Sequence, residues 1–190
     1  MNVLFLGITP SPIVDILFED GCKIFTQENP ISTDILKEND IEFAVSYRYR
    51  HLIKGPVIQH LNGRIINLHI SLLPWNRGAD PNLWSFLEDT PKGVTIHYID
   101  EGLDTGEILV QKDVNYYMND TLRSTYSRLS ARIEDLFRIH WPDIMSEKLT
   151  SYPQVGAGSF HCLQDKEPFI YLLKNGWDTP VRELIGRAKK

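Results

Sequence analysis

The run from Ile66 to Ser71 constrains this chain most, because it sets three polar side chains on one face of an otherwise apolar strand. Successive strand residues face opposite sides, so Asn67, His69 and Ser71 point one way while Ile66, Leu68 and Ile70 point the other. An amide, an imidazole and a hydroxyl buried without partners destabilise a fold, so that face needs hydrogen-bonding partners or a cleft. In open α/β sheets such a cleft lies at the carboxyl ends of the strands. The amide can hold a carbonyl oxygen, and the imidazole can exchange a proton near neutral pH. Asp104 supplies a carboxylate from D-E-G-L-D-T-G, a turn whose two glycines let it fold against a neighbouring strand end. Spacing supports two readings: the groups handle attack on a carbonyl, or His69 is a packed, hydrogen-bonded strand residue.

The rest of the chain alternates strands and helices. Val3 to Leu6 reads as a buried strand running into Gly7, followed by a short helix from Pro12 to Phe18. Cys22 to Thr26 and Ile41 to Ser46 read as strands around a polar helix from Ser32 to Asn39. Asp80 as N-cap and Pro81 at the first helical position predict a helix to about Glu88. Two further strands, Gly93 to Ile99 and Ile108 to Val114, precede a long amphipathic helix from Thr121 to about His140, with Asp120 as its cap. This order predicts an α/β, Rossmann-like fold with a mostly parallel sheet flanked by helices. The first βα turn lacks G-x-G-x-x-G, which argues against a dinucleotide. Beyond Trp141-Pro142 the pattern breaks, with turns at Tyr152-Pro153, Gly156 and Gly158. The expected organisation is a catalytic domain over residues 1–150 and a short irregular C-terminal extension over 151–190 packing on it.

Composition narrows the partners. With 190 residues, 42% hydrophobic and 24% charged, one sizeable core is expected. A formal net charge of -5 provides no general basic field, so nucleic acid is disfavoured. Tyr47, Arg48, Tyr49 and Arg50 interleave aromatics with arginines, but four residues in an acidic chain are a thin warrant for RNA. Cys22 and Cys162 stand far apart without metal-ligand spacing, so neither a disulfide framework nor a metal site is expected. The amino terminus lacks a signal-peptide pattern and no later run could span a bilayer, which predicts a cytoplasmic protein without a membrane partner.

Two segments sharpen this reading. N-L-H-I-S-L-L-P and D-E-G-L-D-T-G, in this order and separated by a helix and a strand, resemble the signature of the folate-dependent formyltransferases. The resemblance implies the formyltransferase fold, catalytic Asn67, His69 and Asp104, and 10-formyltetrahydrofolate as co-substrate without a metal. Further, S-Y-R-Y-R-H-L-I from Ser46 resembles the nucleotide-sugar N-formyltransferases. That likeness implies a folate pocket lined largely by backbone of Tyr47, Arg48 and Tyr49, and faced by the loop Tyr98, Ile99, Asp100, Glu101 and Gly102. The tail strings G-S-F-H and G-W-D-T-P-V are similar to pieces of the same subclass.

The remaining candidates come from position. Arg77 precedes the helix starting at Pro81, where guanidinium and helix dipole together suit a sugar-nucleotide phosphate; the plain alternative is a surface ion pair. Trp75 is a candidate for stacking on a base or sugar, whereas Trp84 reads as packing. His97 matches no catalytic position of the family pattern and reads as a structural residue on its strand's second face. The implied activity is formyl transfer from 10-formyltetrahydrofolate to the amine of a nucleotide-linked amino sugar. Alternatives are glycinamide ribonucleotide as acceptor, or a non-catalytic module binding folate or a sugar nucleotide. Methionyl-tRNA is disfavoured by the acidity. A homodimer is an expectation at family level.

Overall fold

A computed structural model of the chain describes residues 1–189. Continuous apolar runs make the sheet's centre, as expected for strands covered on both faces. In chain order the elements are β1 (Asn2–Leu6), α1 (Pro12–Glu19), β2 (Lys23–Gln27), α2 (Thr33–Glu38), β3 (Phe43–Ser46), α3 (Gly55–Leu61) and β4 (Ile65–His69). They continue with β5 (Arg77–Gly78), α4 (Pro81–Leu87), β6 (Gly93–Tyr98), β7 (Ile108–Asp113), α5 (Leu122–Met145) and β8 (Phe160–His161). Three 3-10 segments follow β8, the first of them over Leu163–Leu172.

Six strands form one sheet in the order β2-β1-β3-β4-β6-β7. The first three pairings are parallel, and β6 runs antiparallel to both β4 and β7. Five of the six strands therefore share a direction, which is the mostly parallel sheet that the sequence predicts. One face packs Val3, Phe5, Val45, Ile66 and Leu68 against α1 and the apolar stripe of α5. The other packs Leu4, Leu6, Ala44 and Ile65 against Leu36, Val57 and Leu61 of α2 and α3. The alternation in β4 thus turns Asn67 and His69 away from α5. Among the described residues no helix is long and apolar enough to cross a membrane.

Several local expectations change. The sequence reading contains no helix between Ile53 and Ile65, where α3 forms with Pro56 in its first turn. Asp80 sits at φ 51 and its side chain does not cap α4; its carboxylate instead accepts from Lys166 Nζ at 2.7 Å. Thr121 caps α5 through a reciprocal pair with Ser124, while Asp120 accepts from Ser124, Tyr117 N and the fork of Arg128. The helix carries Pro142 in its last turns and runs to Met145, beyond the expected end near His140.

The tail is more ordered than its sequence pattern suggests. Phe160 and His161 pair in parallel with Arg77 and Gly78, forming a second, two-stranded sheet. Farther on, Val181 and Leu184 join Leu83, Trp84, Phe86 and Leu87 in a third apolar cluster. Trp84 packs as expected, with its ring 3.6 Å from the parallel ring of His161. Glu88 Oε2 lies 3.2 Å from His161 Nε2, without the alignment of a hydrogen bond.

Candidate active site

Asn67 and His69 lie near the carboxyl end of β4, and Asp104 reaches them from the loop joining β6 to β7. Asn67 Nδ2 donates to Asp104 Oδ1 at 3.0 Å, and the other carboxylate oxygen accepts the Gly78 N–H at 2.9 Å. His69 Nδ1 stands 3.6 Å from Asp104 Oδ2, just beyond direct hydrogen bonding. The structure therefore brings the three predicted residues together. Burial alone would push the Asp104 carboxyl up, but the positive charge of His69 and His97 when they are protonated, with the hydrogen bond from His97 and the Gly78 N–H, outweighs it and holds it well below the usual carboxylate range.

The hydrogen bonds assign the two imidazoles. His69 Nε2 faces the Asn76 carbonyl at 3.1 Å; a carbonyl only accepts, so Nε2 carries hydrogen and Nδ1 is free to gain a proton beside Asp104. His97 is buried and hydrogen-bonded, as the sequence reading has it, and its place on β6 also brings it to the site. It lies directly opposite Asn67 in the antiparallel β4–β6 pair, so both side chains share a face. Its Nδ1 donates to the Tyr98 carbonyl at 2.7 Å, which leaves Nε2 to accept from Asn67 Nδ2 at 3.3 Å, with Asp104 Oδ1 at 3.4 Å. Both N–H groups of Asn67 thus have acceptors.

Two further groups escaped the sequence reading. Asn76 is fully buried at φ 56; it is fixed by Thr90 at 2.8 Å and by Ser159, and so presents its carbonyl to His69. Its one signal was residue type, since asparagine tolerates left-handed backbone better than most. Gln154, from the tail, donates to the carbonyls of Asp104 and Gly106 at 2.8 and 3.0 Å. No local pattern announces a contact across 50 residues. The loop approaches β6 so closely that a Cβ on Gly106 would lie 1.9 Å from the Tyr98 carbonyl oxygen.

The residues expected at a folate are held largely through their side chains elsewhere. Tyr47 is buried and donates its hydroxyl to Glu134 at 2.9 Å, with burial pushing the phenol pKa up. Arg48 donates to Ser130 at 2.8 Å and lies over the ring of Tyr47, and Tyr49 donates to the Asn29 carbonyl at 2.7 Å. On the opposing loop, Tyr98 receives His97, and the Ile99 N–H donates to the Ile65 carbonyl. Asp100 Oδ1 accepts from Gly102 N at 3.0 Å and Thr105 Oγ1 at 2.6 Å, which shapes the turn.

A cleft of about 420 Å³ opens beside this loop, lined by Leu52, Arg77, Glu101, Leu103, Thr105 and Phe160. That volume falls within the range of about 300–1,000 Å³ usual for small-molecule sites. Arg77 donates to the Ala157 carbonyl at 3.2 Å, and its buried Nε has no partner among the described residues. Trp75 is 36% exposed, and its carbonyl accepts from Ser71 Oγ at 2.7 Å. Among the described residues no group of three or more His, Cys, Asp or Glu is placed to hold a metal ion.

The arrangement offers an amide beside a fixed carboxylate, an imidazole with one nitrogen open to protonation, and an adjoining cleft. The sequence model of the formyl transferase family matches residues 10–137. A crystal structure of the formyltransferase PseJ from Anoxybacillus kamchatkensis, in complex with UDP-4,6-dideoxy-4-formamido-L-AltNAc and tetrahydrofolate, is similar over 100% of both chains, with 51% identity and a TM-score of 0.96. Among curated proteins, a methionyl-tRNA formyltransferase of Prochlorococcus marinus is 32% identical over 143 residues, 73% of this chain and 44% of that protein. A phosphoribosylglycinamide formyltransferase of Bacillus subtilis is 34% identical over 115 residues, 60% of this chain and 57% of that protein. The chain spans about half the length of the curated relatives it matches. With more than half of its residues inside the family match, the chain belongs to the formyl transferase family.

Proposed function

We propose that this protein transfers the formyl group of 10-formyltetrahydrofolate to the amine of a nucleotide-linked amino sugar, giving an N-formyl sugar. By likeness to the Anoxybacillus protein, the acceptor is the 4-amino group of a UDP-linked 4,6-dideoxy sugar. The observation that carries the reading is the convergence of Asn67, His69 and Asp104 beside the cleft. Support for a sugar over other acceptors comes from the tail: residues 152–161 line and tie the site, lie outside the family match, and fall within the full-length similarity to that protein.

10-Formyltetrahydrofolate supplies an activated formyl group when bound. Tyr47 to Tyr49 and the Tyr98 to Gly102 loop border its proposed place, with Tyr49 and Ile99 packed on the same apolar cluster. His69 takes the proton that the attacking amine releases. Asp104 is the weaker base because its carboxyl is held so low, and it instead steadies the imidazolium from 3.6 Å. The Asn76 carbonyl keeps the ring oriented so that Nδ1 is the nitrogen protonated. Asn67 turns one N–H from its present acceptors to the formyl oxygen as negative charge develops there. His97 fixes that amide's orientation. The proton then passes to the departing folate nitrogen. Arg77, in the cleft wall, meets the nucleotide's phosphates, and the partly exposed Trp75 borders the sugar side.

We further propose residues 1–150 as the catalytic domain with 151–190 as its extension, a cytoplasmic location and a homodimer; a monomer by light scattering removes the last. The test of function is a panel of acceptors assayed for tetrahydrofolate release: amino-sugar nucleotides, glycinamide ribonucleotide and methionyl-tRNA. Release with one amino-sugar nucleotide is expected. Release only with another acceptor rejects the sugar, and folate binding without release leaves a binding module.

A further inference from the structure

The tail does more than cover the site, because a short stretch of it grips both loops that build the catalytic face. Tyr152 pairs with Ile108 through two backbone hydrogen bonds, which anchors the stretch at the root of β7. Gly158 follows a path so tight that a Cβ there would lie 2.0 Å from the Pro74 carbonyl oxygen. Ser159 hydrogen-bonds the backbone and side chain of Asn76, whose carbonyl faces His69. Between these anchors Gln154 reaches into the loop that carries Asp104.

We infer that Gln154 is a positioning residue, holding the Asp104 loop in the shape that aims its carboxylate at Asn67, Gly78 and His69. Both hydrogens of its Nε2 are used, one on the Asp104 carbonyl at 2.8 Å and one on the Gly106 carbonyl at 3.0 Å. Those carbonyls belong to the residues on either side of Thr105, so a shared donor sets the curvature of the backbone between them. The curvature matters because Asp104 adopts φ 53, a left-handed conformation that its neighbours must hold in place. Gly106, two residues on, already lies against the Tyr98 carbonyl. Without the amide, two carbonyls lose their common donor, and among the described residues no other side chain bridges them. The carboxylate would keep its chemistry but lose its aim. This inference rests on the proposed roles of Asn67, His69 and Asp104, while its structural half stands apart from them.

The test uses Gln154→Glu and Gln154→Met in the full chain, which keep the side chain's length and remove its donors. Hydrogen exchange of the peptide over residues 100–107 is expected to speed up at least about tenfold, with β1 and β4 unchanged. With the acceptor that wild type uses, kcat is expected to fall at least about tenfold while the KM for the folate stays within about threefold. A merely structural role would lower thermal stability and leave the kcat of the folded fraction intact. Loop exchange and kcat both within about twofold of wild type in the folded variants would overturn the inference. If wild type turns over no acceptor, the functional reading fails on that result, and loop exchange alone decides the clasp.

Discussion

Replacing Asp104 with asparagine tests the electrostatic core of the site, since the change is isosteric and removes one charge. The carboxylate lies 3.6 Å from His69 Nδ1 and its side chain is only 14% exposed. At an effective dielectric of about 20, an anion at that distance stabilises an imidazolium by about 4–5 kcal/mol. If that stabilisation is realised mainly as the proton arrives on His69, its loss lowers turnover by roughly a thousandfold. Geometry adds to the loss: Oδ1 and Oδ2 accept from Asn67 and Gly78, so an amide in either orientation sets one donor against another. The assay is tetrahydrofolate release under saturating folate and acceptor, with folding checked by circular dichroism. A folded Asp104→Asn protein within about tenfold of wild-type kcat would refute the reasoning.

Three further outcomes follow from the same geometry. His97→Phe removes the acceptor of Asn67's second N–H and should reduce kcat about tenfold, the scale of one neutral hydrogen bond, with the folate KM little changed in steady-state kinetics. Arg77→Met keeps the stem in the cleft wall and should raise the KM for the sugar nucleotide more than it lowers kcat. The Asp104 carboxyl is held below its unfolded value of about 3.9, so its stabilising effect is present above that pH and lost as pH falls through the folded value. Denaturant titrations should therefore show the stability difference between wild type and Asp104→Asn narrowing as the pH falls below about 4.

The sequence carried the fold and the centre of the site because both rest on short-range pattern. Period-two alternation in β4 put Asn67 and His69 on one face, and the apolar runs of β1 and β3 declared a sheet covered on both sides. What it lacked was register. His97 joins the site because it stands opposite Asn67 across two antiparallel strands, a pairing that neither strand encodes alone. Gln154 and Ser159 act across loops from a segment whose glycines and proline read as irregular, and only assembly brings them to Asp104 and Asn76. At Asp80, Lys166 claims the carboxylate that a helix cap would have used, so a tertiary contact overrode a sound local signal.

A crystal structure of the protein with tetrahydrofolate and the N-formyl sugar nucleotide tests the central claim most directly. The account predicts the formamide between His69 Nδ1 and Asn67, its oxygen within about 3 Å of the Asn67 amide nitrogen and its nitrogen on the side of His69. A formamide bound elsewhere in the cleft, with Asp104, Asn67 and His97 still bonded only to one another, would contradict it.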